Sequence, residues 1–205
     1  MTLLHPLFSI PVYQSKIEFD NNELLNRVLS SELVCTNKNS NCKRTVNQDI
    51  LLDANYSDLY DKILEKFYDY VYKQLKLDCK FKCVCSWAVV GNRGSITDNH
   101  LHPNSIFSGI YYIKSNKDNG DLIFSVPQTH NTISNSVMEM EVTDYNIFNS
   151  KVWKFTPHTG DIFIFPSHLY HGVSENKSDE IRCGISFNFF VDGKVSTDPT
   201  SKLNV

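Results

Sequence analysis

The 205-residue chain is long enough for one domain with a full core and too short for two comfortable ones. With 41% hydrophobic and 21% charged residues it is expected to be globular, which excludes an intrinsically disordered chain. A net charge of -3 with no basic stripe argues against nucleic-acid binding through phosphate neutralisation.

The chain opens with Met1-Thr2-Leu3-Leu4-His5-Pro6, which lacks the basic region and apolar core of a signal peptide. No apolar run approaches the roughly 20 residues of a membrane span. A cytoplasmic location (a host's cytoplasm if the gene is a phage's) and reduced thiols at Cys35, Cys42, Cys79, Cys83, Cys85 and Cys183 are expected. Cys83 and Cys85 alternate with Val84 and read as small buried strand residues, not as a zinc site.

Phe8 to Ile17 reads as an extended edge segment, because Pro11 cannot donate to a ladder. Asp20-Asn21-Asn22-Glu23 then supplies capping residues for a short helix carrying Leu24, Leu25, Val28 and Leu29. Residues 34–50 are rich in Asn, Lys, Ser and Thr and read as loop. The clearest helix is 55–77, where Leu59, Ile63, Phe67, Val71 and Leu75 recur every four residues and Asn55 or Ser57 can cap the start. Such a stripe is core packing that braces a sheet.

From Phe81 the pattern changes to short β-rich runs separated by Gly, Pro, Asn and Asp: 81–90, 95–102, 105–114, 121–126, 151–156, 161–166, 169–174 and 181–191. Such spacing predicts a sandwich or jelly roll. The expected plan is one domain over 1–205. An N-terminal layer of helices and edge strand (1–80) packs on a β core (81–191), and a tail completes the chain (192–205). Residues 127–150 lack periodicity and read as a lid over the site.

Three pieces of the β half carry chemistry. Asn99-His100-Leu101-His102-Pro103 puts two imidazoles at i and i+2, on one face of a strand, where they can grip one ion; Asp98 shares that parity. Gly160-Asp161-Ile162-Phe163-Ile164-Phe165-Pro166 is a turn and an apolar strand leading to His168-Leu169-Tyr170-His171-Gly172. Arg182 then begins a strand whose even members (Arg182, Gly184, Ser186, Asn188) are polar or small and whose odd members (Cys183, Ile185, Phe187, Phe189) are apolar. A non-haem iron(II) site for oxygen chemistry wants three ligands on one face and open positions opposite. A chelating 2-oxoglutarate would carry a second, deeper carboxylate, for which a buried arginine is the apt partner.

These pieces, with Ser108-Gly109-Ile110-Tyr111-Tyr112-Ile113 and Gly120-Asp121-Leu122-Ile123-Phe124, resemble the iron(II)/2-oxoglutarate-dependent oxygenase superfamily. Within it the chain is most similar to the small prolyl-hydroxylase-like family often met in marine bacteria and their phages. The resemblance covers roughly residues 81–191, with a weaker echo at His5 to Tyr13. It implies a mainly β fold with N-terminal helices: a double-stranded β-helix, the cupin-like jelly roll, braced by one or two α-helices. It implies iron(II), 2-oxoglutarate and dioxygen as cofactor and co-substrates, and hydroxylation of a substrate with formation of succinate and carbon dioxide. It also implies His100 and His171 as metal ligands, and Arg182 and Tyr112 at the far carboxylate of 2-oxoglutarate. Ser108, by strand parity with Tyr112, and Ser186 and Asn188, beside Arg182, are implied to face the co-substrate or substrate.

One position departs from the pattern. The superfamily's usual H-x-D has His102 in the place of the aspartate, which leaves the site one negative charge short. His102 is expected as third ligand, with Asp98 or water as the alternatives. Lone histidines are more often surface or core residues than ligands, and His5, His130, His158 and His168 are read that way. Tyr111 is assigned to packing, Gly160 and Asp161 to a turn, and Trp87 and Trp153 to core or cavity wall. Two rival functions remain: a non-catalytic cupin-like metal module, which has no need of Arg182 or Tyr112, and a zinc hydrolase, for which three histidines suit but no general base except Asp98 is evident. The substrate itself is not written in the sequence, be it peptide or small molecule.

Overall fold

Strand β4 (Lys80–Gly91) runs antiparallel to the last long strand of the chain, β11 (Arg182–Asp192), in a register that sets Arg182 against Gly91 and Asp192 against Lys80. A computed structural model describes residues 2–6, 9–36, 41–126, 141–196, 200–201 and 203–205, and this pair is the centre of its larger sheet. Around it lie β1 (Tyr13–Lys16), β2 (Leu33–Cys35), β3 (Cys42–Thr45), β6 (Phe107–Lys114) and β9 (Asp161–Pro166), in the order β1-β9-β6-β11-β4-β3-β2. A second sheet has the order β5-β10-β7-β8, from β5 (Thr97–His100), β7 (Leu122–Ser125), β8 (Val152–Phe155) and β10 (Tyr170–Val173). All the strand pairings in both are antiparallel, and the architecture is a jelly roll.

Alternation along the strands divides the interior into two layers. On β11 the odd residues Cys183, Ile185, Phe187 and Phe189 are fully buried against the helices. There Phe67 stacks on Phe189 with ring centroids 3.9 Å apart and meets Phe81 and Phe107 edge-on, contacts worth about 0.5–1.5 kcal/mol each beyond their buried area. On the other face of the large sheet, Tyr112, Phe163 and Phe165 pack with Leu122 and Phe124 from the small one and with Leu169 just before β10.

The helices obey their start signals. Helix α1 (Asn21–Leu29) is capped by Asp20, whose carboxylate accepts from the backbone N–H of Asn22 and of Glu23, both at 3.1 Å. Helix α2 (Ser57–Tyr68) is preceded by a 3-10 turn, Ala54–Tyr56. The cap of that turn is Asp53, which accepts from Asn55 N–H, in place of the expected Asn55 or Ser57. The expected single helix over 55–77 continues past Tyr68 as a π-helical segment, Asp69–Gln74. That wider turn carries Asp69 and Tyr70 to the N-terminal strand: Tyr13 donates to Asp69 Oδ2 at 3.0 Å and Tyr70 donates to the Pro11 carbonyl at 2.9 Å.

Two expectations need correction. Residues 34–50, read as loop, contain β3 and the end of β2, a hairpin added to the open edge of β4. The pairing is made by backbone, and only Cys42 and Thr45 turn inward, so the polar composition concealed it. The C-terminal tail contains a small ribbon, β12 (Lys194–Val195) with β13 (Leu203–Asn204). The lid assigned to 127–150 falls mostly outside the described residues, as does His130. Its described part, 141–150, forms bends and turns. Among the described residues no helix is long and apolar enough to cross a membrane.

Candidate metal centre

Strand β10 brings the first two histidines together. It pairs with β5 so that His171 and His100 are direct register partners, and their rings lie 4.4 Å apart between centroids. His102 stands two residues beyond the end of β5, where its backbone N–H donates to Ser167 O at 3.0 Å and its ring lies 5.0 Å from that of His171. The ligand atoms of all three lie within 4.8 Å of one another. The Nε2 atoms of His102 and His171 are 3.1 Å apart, close to the about 3 Å that neighbouring ligands show at metal–nitrogen bonds of about 2.1 Å.

Two of the rings are held in the tautomer a metal needs. His100 Nδ1 lies 2.8 Å from the carbonyl of Asp98, and His171 Nδ1 lies 2.8 Å from that of Leu169. A carbonyl only accepts, so each Nδ1 carries the proton and each Nε2 offers a lone pair. Burial, reinforced by the neighbouring imidazoles, pushes His102 down to about 3. Burial likewise brings His171 down to about 4, so both rings are neutral at physiological pH. Asp98, the alternative ligand, is exposed and outside the cluster; it contributes its carbonyl to His100 and not its carboxylate to an ion.

The histidines line a cavity of ≈ 100 Å³ between the two sheets, and Arg182, Tyr112 and Ser186 line it as well. Apart from Thr97, its walls are otherwise apolar, with Val89, Ile110, Leu122, Phe165 and Val173. Arg182 is buried, and its Nη1 donates to the carbonyls of Asn119 and Ser174. Its Nη2 and the hydroxyl of fully buried Tyr112 have no partner among the described residues, and no acidic side chain there pairs with the guanidinium. A buried cation and a buried phenol left open toward one cavity are costly unless an anion joins them. Burial raises Tyr112 well above the usual phenol range, so it stays a donor. The residues present therefore fit a metal at the histidines and a carboxylate at Arg182 and Tyr112.

Ser108 and Asn188, expected at the co-substrate, sit elsewhere. The hydroxyl of Ser108 is 2.8 Å from both Asn188 Oδ1 and Ser167 Oγ, and the Asn188 amide nitrogen lies 3.5 Å from His102 Nδ1. Both are buried behind His102, off the cavity wall. Trp87 does line the cavity, with its ring 5.8 Å from that of His102, whereas Trp153 is 42% exposed on β8 and belongs to neither core nor cavity. His5, His158 and His168 are exposed. Sequence reasoning missed the cradle of Arg182. Asn119 is not singled out there, and Gly120 enters only as the start of a stretch that carries the resemblance, yet Gly120, at φ +95°, comes so close that a Cβ on it would meet Arg182 Nη1 at 2.9 Å.

Residues 85–188 match the family described as "Putative 2OG-Fe(II) oxygenase". No curated protein matches the chain by sequence. Among solved structures, the fold is similar to HygX from Streptomyces hygroscopicus with nickel and 2-oxoglutarate bound, at TM-score 0.62, 9% identity, and 88% of this chain against 83% of that one. It is similar to the α-ketoglutarate-dependent epimerase SnoN from nogalamycin biosynthesis, at TM-score 0.63 and 12% identity over 88% of this chain and 78% of that one. A prolyl-4-hydroxylase from Pseudomonas putida aligns at TM-score 0.59 and 14% identity, over 91% of this chain and 96% of the enzyme.

Proposed function

From the premise that the chain belongs to this family of 2OG-Fe(II) oxygenases, we propose that it hydroxylates a carbon of an organic substrate with iron(II) held by His100, His102 and His171 and 2-oxoglutarate held by Arg182 and Tyr112. The single observation that carries this reading is the pairing of three converging imidazoles with an unpartnered Arg182 and Tyr112 in one cavity. When bound, iron(II) and 2-oxoglutarate supply the oxidising chemistry, in which dioxygen gives one atom to the substrate and one to succinate as carbon dioxide leaves.

The protein's own part is to bind, orient and exclude. The backbone carbonyls of Asp98 and Leu169 hold His100 and His171 with their lone pairs inward, so no proton has to leave those rings when a cation arrives. The Arg182 guanidinium binds the far carboxylate of the co-substrate, and the Tyr112 hydroxyl donates to the same group. Ser186, from the same strand face as Arg182, adds a hydroxyl to the wall. The apolar walls keep water from the reacting end and strengthen each of these charged contacts. Because none of the three proposed ligands is a carboxylate, the dianionic co-substrate supplies the only negative charge at the metal, and its affinity weighs more here than at a site with a carboxylate ligand.

A zinc hydrolase is poorly served, since Asp98, its one candidate base, is exposed and outside the cluster. A non-catalytic metal module leaves the buried Arg182 unexplained. The free thiols of Cys35, Cys79, Cys83, Cys85 and Cys183 fit a cytoplasmic setting. The test is anaerobic addition of iron(II) and 2-oxoglutarate. A weak visible charge-transfer band, then succinate on admitting air, is expected from the native protein and is lost in Arg182→Met. Neither signal from the native protein would overturn the reading.

A further inference from the structure

Of the three histidines only His102 has no carbonyl behind its Nδ1. It faces the side-chain amide of Asn188, at 3.5 Å. A carbonyl dictates one tautomer, whereas an amide can present either its nitrogen or its oxygen by turning about its last bond. We infer that Asn188 decides which ring nitrogen of His102 carries the proton, and so whether His102 offers the metal position an N–H or a lone pair. This rests on the metal centre proposed above, and it makes Asn188 a positioning residue.

Two complete hydrogen-bond patterns exist for the same heavy atoms. In the first, Ser105 donates to Ser167 (2.9 Å), Ser167 to Ser108 (2.8 Å), and Ser108 to Asn188 Oδ1 (2.8 Å). The Asn188 amide N–H then faces His102 Nδ1, the ring proton sits on Nε2, and that N–H points at the lone pair of His171 Nε2, 3.1 Å away. The metal position is closed by a histidine–histidine hydrogen bond.

In the second pattern every bond runs the other way. His102 Nδ1–H donates to Asn188 Oδ1, the amide nitrogen donates to Ser108, Ser108 to Ser167, and Ser167 to Ser105. Ser105 is left to donate to the carbonyl of His102, which is already 3.2 Å from its hydroxyl. His102 Nε2 is now a lone pair and three Nε2 atoms converge. The change is neutral: the proton given up by Nε2 to solvent is replaced by one taken from solvent at Nδ1. Hydroxyls are the residues that permit this, since each both donates and accepts. Ser105, Ser108 and Ser167 are thereby explained as a reversible run, with Ser108 and Ser167 buried at 1% exposure.

The experiment is two-dimensional 15N–1H NMR of protein labelled at the histidine rings, at pH 8, without metal and with zinc as a diamagnetic probe, together with zinc titration calorimetry. In the metal-free native protein His102 is expected as the Nε2–H tautomer, against Nδ1–H for His100 and His171, and zinc converts it to Nδ1–H. Asn188→Asp, whose oxygens only accept, is expected to carry the Nδ1 proton without metal and to bind zinc about tenfold tighter, in the range outer partners of metal ligands control. A metal-free native His102 already at Nδ1–H, or an Asn188→Asp variant with the native tautomer and the native zinc affinity, overturns the inference. The expected tautomers in both proteins with no zinc uptake by either would instead sink the metal centre and leave the amide's control of the ring standing.

Discussion

His100 and His171 face each other across a single antiparallel register, β5 against β10, with ring centroids 4.4 Å apart. Their closeness is therefore set by the sheet, and the loop between β4 and β5 has only to deliver the chain to the right rung. A third imidazole, reached after the strand has ended, completes the set.

Loss of either register partner is expected to cost more than loss of any outer contact. His100→Ala and His171→Ala should each weaken iron(II) or zinc binding by at least about 100-fold, beyond the about 10–100-fold typical of outer partners. Anaerobic titration calorimetry measures it. Native-like affinity in either variant would exclude that residue as a ligand.

Arg182 and Tyr112 should separate by what they do to the free protein. Arg182→Met removes the guanidinium from the cavity wall and is expected to weaken 2-oxoglutarate by about 2–5 kcal/mol, the usual cost of unpairing a buried charge. Tyr112→Phe removes a hydroxyl that has no partner among the described residues, so urea stability should hold or rise by up to about 1 kcal/mol while co-substrate affinity falls. A Tyr112→Phe variant that loses stability and keeps its affinity would show the phenol to be structural.

Acid should destabilise the metal-free protein through the two buried rings. His102 and His171 stay neutral in the fold down to about 3 and about 4, against about 6.5 in the unfolded chain. Between about pH 6.5 and 4 the unfolded chain takes up protons that the fold refuses, so stability falls with pH by up to about 1.4 kcal/mol per unit for each ring. Above about 6.5 these rings contribute no slope. Thermal melts of metal-free protein between pH 4.5 and 7.5 test this, because His171→Gln should flatten the curve. Parallel curves for the two proteins would count against it.

Packing at the centre of the large sheet offers a test of the fold itself. A Cβ on Gly109 would meet the Phe187 ring at 2.4 and 2.5 Å and the Phe163 carbonyl at 2.6 Å. Phe187 is fully buried and the carbonyl belongs to a neighbouring strand, so neither can retreat cheaply. Gly109→Ala should cost about 1–3 kcal/mol or more in chemical denaturation. An unchanged midpoint would mean the β6–β9 approach is looser than these distances require.

The β half was legible because period-2 patterning and turn residues both report on it. On β11 the alternation of Arg182, Gly184 and Ser186 with Cys183, Ile185 and Phe187 separates cavity from core, and the structure places them so. Asn188 shares that parity yet lies off the cavity wall, where its side chain meets Ser108 and His102. The β2–β3 hairpin was illegible because it exists by lending backbone to an open edge, which no side-chain period records. The cradle of Arg182 was hidden for a similar reason, since it is made of two carbonyls.

The four-residue recurrence from Leu59 to Leu75 has a consequence of its own. On an unbroken α-helix it would precess by about 40° at every step and wind off the sheet. The π segment at Asp69–Gln74 absorbs part of that drift by holding more residues per turn. Shortened by one position there, it would relax into ordinary α geometry, and because the wider turn holds about one residue more than an α turn, the residues beyond would keep their face. A deletion in this stretch should therefore be tolerated far better than one within Ser57–Tyr68, which would swing the residues beyond it by about 100°.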